Sequence, residues 1–282
     1  MIKKSLVSII IPTKNTGTFL DACLKSMRDQ TYKNIEIIIV DGNSTDNTLP
    51  IAKKYHAKVF QYDPKIAKGK MDAPYRRNYG VKKAKGKYVW YADADFKPAK
   101  KFIENAVSLC EKGFDAIIYP FDTVGTGMWT MAKQLERRCY FGDDTVESPR
   151  FFRKSTWIAV GGLDESLGGG GDDWDLYQKL LDKGYKVGRI KTVVQHLEGN
   201  IKIEKLFKKA FMYGQDALKY IKKRPAKAVQ SYFPIRPGYI KNWKLFLQRP
   251  KDTVALIIVR IVEYLGGALG IIYSLIKRVQ NN

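Results

Sequence analysis

Hydrophobic residues recur in two alternating rhythms over the first two thirds of the chain. Short apolar runs at 5–11, 35–40, 57–60 and 87–92 have the length of strands. Between them apolar residues return every three or four positions, as in Phe19, Leu20, Cys23, Leu24 and Met27, the period of a helix with one buried face. This alternation predicts an α/β fold, a mostly parallel sheet flanked by helices. Open sheets of that kind bind ligands beyond the carboxyl ends of their strands. Three of the expected strands run directly into polar clusters there: Pro12-Thr13-Lys14-Asn15, Asp41-Gly42-Asn43-Ser44 and Asp93-Ala94-Asp95.

The rhythm breaks at about 121–147, where Gly125, Gly127, Gly142 and Asp143-Asp144 surround a short helical stretch, and a loop or lid is expected. Residues 148–153 read as a further strand. Gly168-Gly169-Gly170-Gly171 then leads into Asp172-Asp173-Trp174-Asp175-Leu176, acidic residues that suit a helix N-terminus electrostatically, with Leu176, Leu180 and Leu181 as the apolar face. After His196, residues such as Leu206, Phe207, Ala210, Phe211 and Ala217 keep helical spacing among lysines, the pattern of a basic amphipathic helix. Pro225, Pro234, Pro237 and Pro250 break the chain into short pieces. The last long apolar stretch, 254–276, is interrupted by Arg260 and Glu263. Both charges would be costly at a bilayer centre, so the stretch reads better as an interfacial helix than as a spanning one.

Charge sharpens this picture. The chain carries 50 Lys and Arg against 28 Asp and Glu, a net +22, and residues 201–282 alone hold 17 of the former and 4 of the latter. Such a surplus seeks anionic partners without choosing among nucleic acid, anionic lipid and phosphorylated ligands. The three cysteines, Cys23, Cys110 and Cys139, have no paired spacing, which argues against a disulfide framework or zinc knuckle and fits a reducing, cytosol-facing compartment.

Two aspartates one residue apart at the end of an extended segment point to the same side, so Asp93 and Asp95 can share one ligand. Carboxylates repel a diphosphate, but a divalent ion such as Mn2+ or Mg2+ held between them would bridge it. Tyr88-Val89-Trp90-Tyr91-Ala92 ahead of them reads as a buried strand, which places the pair on functional ground. Arg77, just upstream, is a candidate for gripping a diphosphate or orienting Asp93; a solvated charge run with Arg76, Lys82 and Lys83 is the alternative. Asp46 reads as a cap in its turn.

The series SIIIPTKN, VDGNSTDNT, RRNYGVKKAKGKYVWYADAD and GGLDESLGGGGDDWDL closely resembles glycosyltransferase family 2, over roughly residues 5–198. The resemblance implies a GT-A fold, Rossmann-like, and an inverting, metal-dependent transfer from a nucleotide sugar. It implies nucleoside contacts at Pro12, Thr13, Asn15 and Asp41, with Asp41 accepting from the base, and donor contacts at Arg77, Asn78 and Asp93. Asp173 matches the general base, although the family's usual Glu-Asp pair is Asp172-Asp173 here. His196 matches a third metal ligand beside Asp93 and Asp95. The expected organisation is a catalytic domain over 1–200 and a helical, membrane-associating region over 201–282. The expected donor is a GDP- or UDP-hexose, GDP-mannose foremost. The expected acceptor is a lipid-linked glycan at the cytoplasmic face of the cell membrane, where the protein sits as a peripheral, monotopic enzyme, with self-association through the tail as a further option.

Other classes fit less well. A processive synthase would carry a QxxRW-like motif after the base, whereas Gln134-Leu135-Glu136-Arg137-Arg138 precedes Asp173 and lacks the tryptophan. A nucleic-acid binder would show interleaved basic and aromatic residues; none is readable, and the acidic cluster at 172–175 opposes one. A soluble or polysaccharide acceptor for a UDP-sugar stands as the alternative within the same chemistry.

Overall fold

The computed structural model describes residues 4–67, 71–168 and 171–280; Gly169 and Gly170 of the glycine run lie outside the described residues. In chain order the elements begin β1 (Val7–Thr13), α1 (Gly17–Arg28), β2 (Ile35–Asp41), α2 (Thr48–Lys54), β3 (Lys58–Gln61), α3 (Ala73–Lys83), β4 (Tyr88–Tyr91) and β5 (Phe96–Pro98). They continue with α4 (Phe102–Glu111), β6 (Ala116–Ile118), β7 (Phe121–Thr126), α5 (Met128–Cys139), β8 (Phe151–Arg153), α6 (Lys154–Ala159), α7 (Asp172–Asp182), β9 (Val187–Arg189) and β10 (Val194–Asn200). The helices α8 (Ile203–Lys223), α9 (Pro225–Tyr232), α10 (Pro237–Lys241), α11 (Lys244–Gln248) and α12 (Pro250–Gln280) complete the chain. Two compact units result. One comprises Met1–Phe121, Ser148–Glu165 and Leu176–Leu197; the other takes in Asp122–Glu147 and Ser166–Asp175 together with Glu198–Asn282.

The first unit is built on a seven-stranded sheet of order β3-β2-β1-β4-β8-β6-β9. β3, β2, β1 and β4 are parallel, and β8 runs antiparallel between β4 and β6. Nine of the fourteen residues of β1 and β2 are Ile or Val, as suits a parallel sheet with helices on both faces. On one face Ile9, Ile37 and Trp90 pack with Leu24 and Met27 of α1 and Phe102 of α4. On the other, Ile10 and Val40 meet Val81 of α3 and Leu176 and Leu180 of α7. A Cβ at Gly80 would collide with the Ile10 side chain, so glycine lets α3 lie directly on the sheet. Leu181 falls outside the buried face expected for α7 and is exposed; Tyr177 is buried with Leu176 and Leu180 instead.

In the second unit the expected lid is instead an ordered strand and a twelve-residue helix, β7 and α5. Its pattern is hard to read because the buried face of α5 carries a charge: Glu136 is 2% exposed, beside Ala132, Leu135 and Cys139. Tyr140 and Tyr239 donate hydroxyl bonds of 2.7 and 2.9 Å to its Oε1, Arg260 lies 3.2 Å away, and Lys133 joins Glu136 to Glu263. Burial alone would push the Glu136 carboxyl up, but Lys133 and Arg260 outweigh it and hold it well below the usual carboxylate range. Arg260 and Glu263, the two charges that interrupt the apolar segment, are thus spent on this network.

α12 also packs along α8 at near-backbone contact. A Cβ at Gly214 would strike the Gly267 carbonyl, and one at Gly270 the carbonyl of Phe211; small residues are what permit helices to approach this closely. The other face of α12 is exposed and apolar, through Ile257, Ile261, Leu265, Leu269, Ile272 and Ile276.

Candidate active site

At the carboxyl ends of β1 and β2 two polar loops are stapled together. Thr13 donates a 2.9 Å bond to Oδ1 of Asp41, and Ser44 supplies both its N–H (2.9 Å to Oδ2) and its hydroxyl (2.6 Å to Oδ1). Asp41 is fully buried, so its carboxylate builds this loop. Asn15, at φ 53°, accepts from Thr45 N–H at 2.8 Å while its own N–H donates to Ser44. Pro12, paired in register with Val40, and Thr13 carry the first loop out of the sheet. Asp46 accepts from the N–H and hydroxyl of Thr48 and from Gly17 N–H, the capping role expected of it.

The chain turns at Ala94-Asp95, so the two aspartates do not keep the strand's alternation and face different partners. Asp93 receives Nη2 of Arg77 at 2.7 Å on Oδ1 and Nη1 of Arg150 at 2.8 Å on Oδ2. Both guanidiniums stack against the Tyr91 ring, at 4.9 and 5.6 Å, which fixes their planes. Burial would raise the Asp93 carboxyl, but Arg150 and Arg77, with a contribution from His196, hold it well below the usual range. Arg77 is therefore an Asp93 partner and not a solvated member of a charge run. Arg150 escaped the sequence reading. Its place depends on the antiparallel insertion of β8, which brings Arg150 O to Tyr91 N–H at 3.1 Å, and no local pattern announces that pairing.

Asp95 meets His196 instead, with Oδ2 3.2 Å from Nε2. Pairing of β10 with β5 sets His196 opposite Phe96, and the Phe96 and Phe121 rings hold the imidazole edge-on at 5.2 and 6.0 Å. Among the described residues no three Asp, Glu, His or Cys side chains converge on one point; the expected Asp93, Asp95 and His196 trio is reduced to a pair because two guanidiniums occupy Asp93. The pair still fits a hard divalent ion. Oδ1 of Asp95 is buried without a hydrogen-bond partner, and ions of the Mg2+ class take one or two protein ligands and fill the remaining positions with water and phosphate oxygens.

Asn78 is turned away from this cluster. Its amide donates to Leu163 O and Glu165, both at 2.9 Å, and accepts from Leu163 N–H at 3.0 Å, so all its capacity fastens the 161–165 loop.

In the second unit, the acidic turn that opens α7 is clamped. Asp175, fully buried, pairs with Lys223 at 2.9 Å and Arg224 at 3.3 Å. Trp174 donates to Val146 O at 3.1 Å and packs on Tyr232 and Tyr220. Asp173 stands half-exposed between these anchors.

The sequence model for glycosyl transferase family 2 matches residues 8–164, more than half of the chain. The chain belongs to glycosyl transferase family 2. Among its curated family relatives, glycosyltransferase GlyG of Streptococcus pneumoniae serotype 4 is 34% identical over 114 residues, covering 40% of this chain and 38% of GlyG. The UDP-Glc:alpha-D-GlcNAc-diphosphoundecaprenol beta-1,3-glucosyltransferase WfaP of Escherichia coli is 30% identical over 194 residues, covering 64% of this chain and 72% of WfaP. The chain thus spans less than half of the first of these and most of the second. The GT-A fold is shared with the Pyrobaculum calidifontis mannosyltransferase PcManGT in complex with GDP-Man and Mn2+, at 18% identity and TM-score 0.62, over 95% of this chain and 88% of that one. It is shared also with S. aureus TarS in complex with UDP-GlcNAc, at 18% identity and TM-score 0.58, over 95% and 89%.

Proposed function

We propose that this family 2 chain is an inverting, metal-dependent hexosyltransferase that moves a sugar from a nucleotide hexose to a hydroxyl of a lipid-linked glycan at a membrane surface. The observation that carries this reading is the arrangement after β4: Asp95 facing His196 at 3.2 Å, next to an Asp93 gripped by two arginines. As a set of four, Arg77 and Arg150 balance the two carboxylates before any cation arrives. Asp95 and His196 would hold Mn2+ or Mg2+, which when bound would neutralise charge on the departing nucleoside diphosphate. Arg77 and Arg150, with forks already oriented by Asp93 and Tyr91, are preorganised to meet diphosphate oxygens at little entropic cost. The loops at 12–15 and 41–46 would border the nucleoside, Asp41 acting through the shape it imposes on them.

Asp173 is assigned as the general base that takes the acceptor's proton. Asp175, tied to Lys223 and Arg224, is a positioning residue for it. A half-exposed carboxylate at the first turn of α7 is open to an acceptor hydroxyl. GDP-mannose and UDP-hexoses are the donor classes, in keeping with the ligands named for PcManGT and TarS, and the lipid-linked acceptor is in keeping with the name of WfaP.

Membrane association rests on the second unit. Among the described residues α12 is the one helix long and apolar enough to cross a bilayer. Its Arg260 and Glu263 are bound to Glu136 and Lys133 of α5, so crossing would require breaking a buried ion network. Its exposed row, with the lysine-rich surface of the tail, suits an interfacial helix on anionic lipid. The activity is tested by release of nucleoside diphosphate from GDP-mannose and UDP-hexoses by the full chain with polyprenyl-diphosphate-linked acceptor and Mn2+. Turnover confined to one donor class and lost on chelation is the expected result; no turnover with any donor would refute the reading.

A further inference from the structure

Arg236, between α9 and α10 in the second unit, is an anomaly. It is 7% exposed, and its Nε and Nη1 are buried with no hydrogen-bond partner. Among the described residues no carboxylate pairs with it. The Tyr140 ring lies 5.5 Å from the guanidinium carbon. A buried guanidinium without hydrogen-bond partners on two of its nitrogens is expensive, whereas Glu136, Asp175 and Asp216 of the same unit each have a cationic partner, Glu136 in Lys133 and Arg260, Asp175 in Lys223 and Arg224 and Asp216 in Lys219. Asp143, which accepts from Gly238 N–H at 2.8 Å, two residues on from Arg236, is committed to that bond and to Thr145.

The surroundings are aromatic. Tyr232, four residues before Arg236, packs edge-on against Trp174 at 5.6 Å. The segment that carries Arg236 therefore packs, through Tyr232, on the turn that carries Asp173. A planar fork of N–H donors with aromatic walls, in a unit with a large surplus of cations, matches the oxygens of a phosphate ester.

We propose that Arg236 forms the floor of a phosphate-binding subsite that receives the phosphate of the lipid-linked acceptor and so registers its sugar against Asp173; this rests on the function proposed above. The site differs from the donor's diphosphate site, which belongs to Arg77, Arg150, Asp95 and His196.

The test is binding of farnesyl diphosphate, without divalent metal, to the full chain and to Arg236→Met and Arg236→Lys, by calorimetry. Wild type should bind, Arg236→Met should bind at least tenfold more weakly, and Arg236→Lys should recover part of the loss. Vesicles of phosphatidylglycerol form the second arm: binding that Arg236→Met leaves unchanged assigns the subsite to the acceptor, whereas an equal loss there overturns that assignment in favour of bilayer headgroups. Manganese-dependent nucleotide binding, retained in both variants, shows that they are folded. Unchanged farnesyl diphosphate binding in Arg236→Met would overturn the proposal. Arg236-dependent binding by a chain that binds no nucleotide would leave the subsite standing and remove the transferase reading.

Discussion

Arg150 donates from Nη1 to Oδ2 of Asp93 at 2.8 Å, opposite the 2.7 Å bond from Arg77 to Oδ1. Asp93 is thereby an anchor for two guanidiniums, and Asp95 is the aspartate that meets His196.

Replacing Arg150 with Ala removes one hand of this grip. A hydrogen bond to a charged group contributes about 1.5–3 kcal/mol, so nucleoside diphosphate affinity should fall about 10- to 150-fold. Arg150→Lys should recover only part, since an ammonium lacks the fork. Calorimetric titration of both variants checks this; wild-type affinity in Arg150→Ala would exclude the residue from donor binding.

Asp95→Ala and His196→Ala should each abolish the Mn2+-dependent component of nucleotide binding while leaving a weaker, metal-independent component that depends on Arg77 and Arg150. Asp93→Ala should differ, weakening both components, because it releases the arginines. Titrations in the presence and absence of chelator separate these outcomes.

Asp173→Asn preserves size and removes the base. Turnover should drop on the order of a hundred- to ten-thousandfold, with donor affinity unchanged. Asp175→Asn, which loosens the clamp on the same turn, should lower turnover less and also lower the melting temperature. Equal losses of donor binding and turnover in Asp173→Asn would remove the base assignment.

Glu136 governs the seat of α12. Its carboxyl is held below its ordinary value of 4.5, so the folded state binds its proton less readily than the unfolded state. The associated stability is fully present above pH 4.5 and is lost as pH falls below that value toward the folded-state pKa. Glu136→Gln leaves Lys133 and Arg260 facing a neutral amide and should cost about 3–5 kcal/mol at neutral pH. Thermal melts should show that penalty shrinking below pH 4.5; a pH-independent difference would mean that packing, not charge, is responsible.

The strands of the parallel half were legible because each is a short run of Ile, Val and aromatics ending in a polar cluster, as in Ser8 to Asn15 and Tyr88 to Asp95. Asp95 follows such a strand directly, whereas His196 lies on β10, antiparallel to β5, and only the family resemblance marks it. Three features were not legible. Arg150 depends on an antiparallel strand inserted from 33 or more residues beyond β6, a pairing set by topology and not by local period. α5 hid because Glu136 breaks the apolar stripe, its burial made tolerable by residues over a hundred positions away. Asn78 and Asp41 matched a functional pattern, yet their side chains are consumed by loop contacts that only the folded chain creates.

On the function proposed, Asp95 and His196 bind a divalent ion together with a nucleoside diphosphate. The direct measurement is calorimetric titration of GDP and of UDP into the full chain with and without Mn2+, repeated with Asp95→Ala. One nucleotide should bind at least tenfold more tightly with Mn2+, and the gain should vanish in the variant. Equal affinity with and without Mn2+, or a gain that survives Asp95→Ala, would contradict the claim.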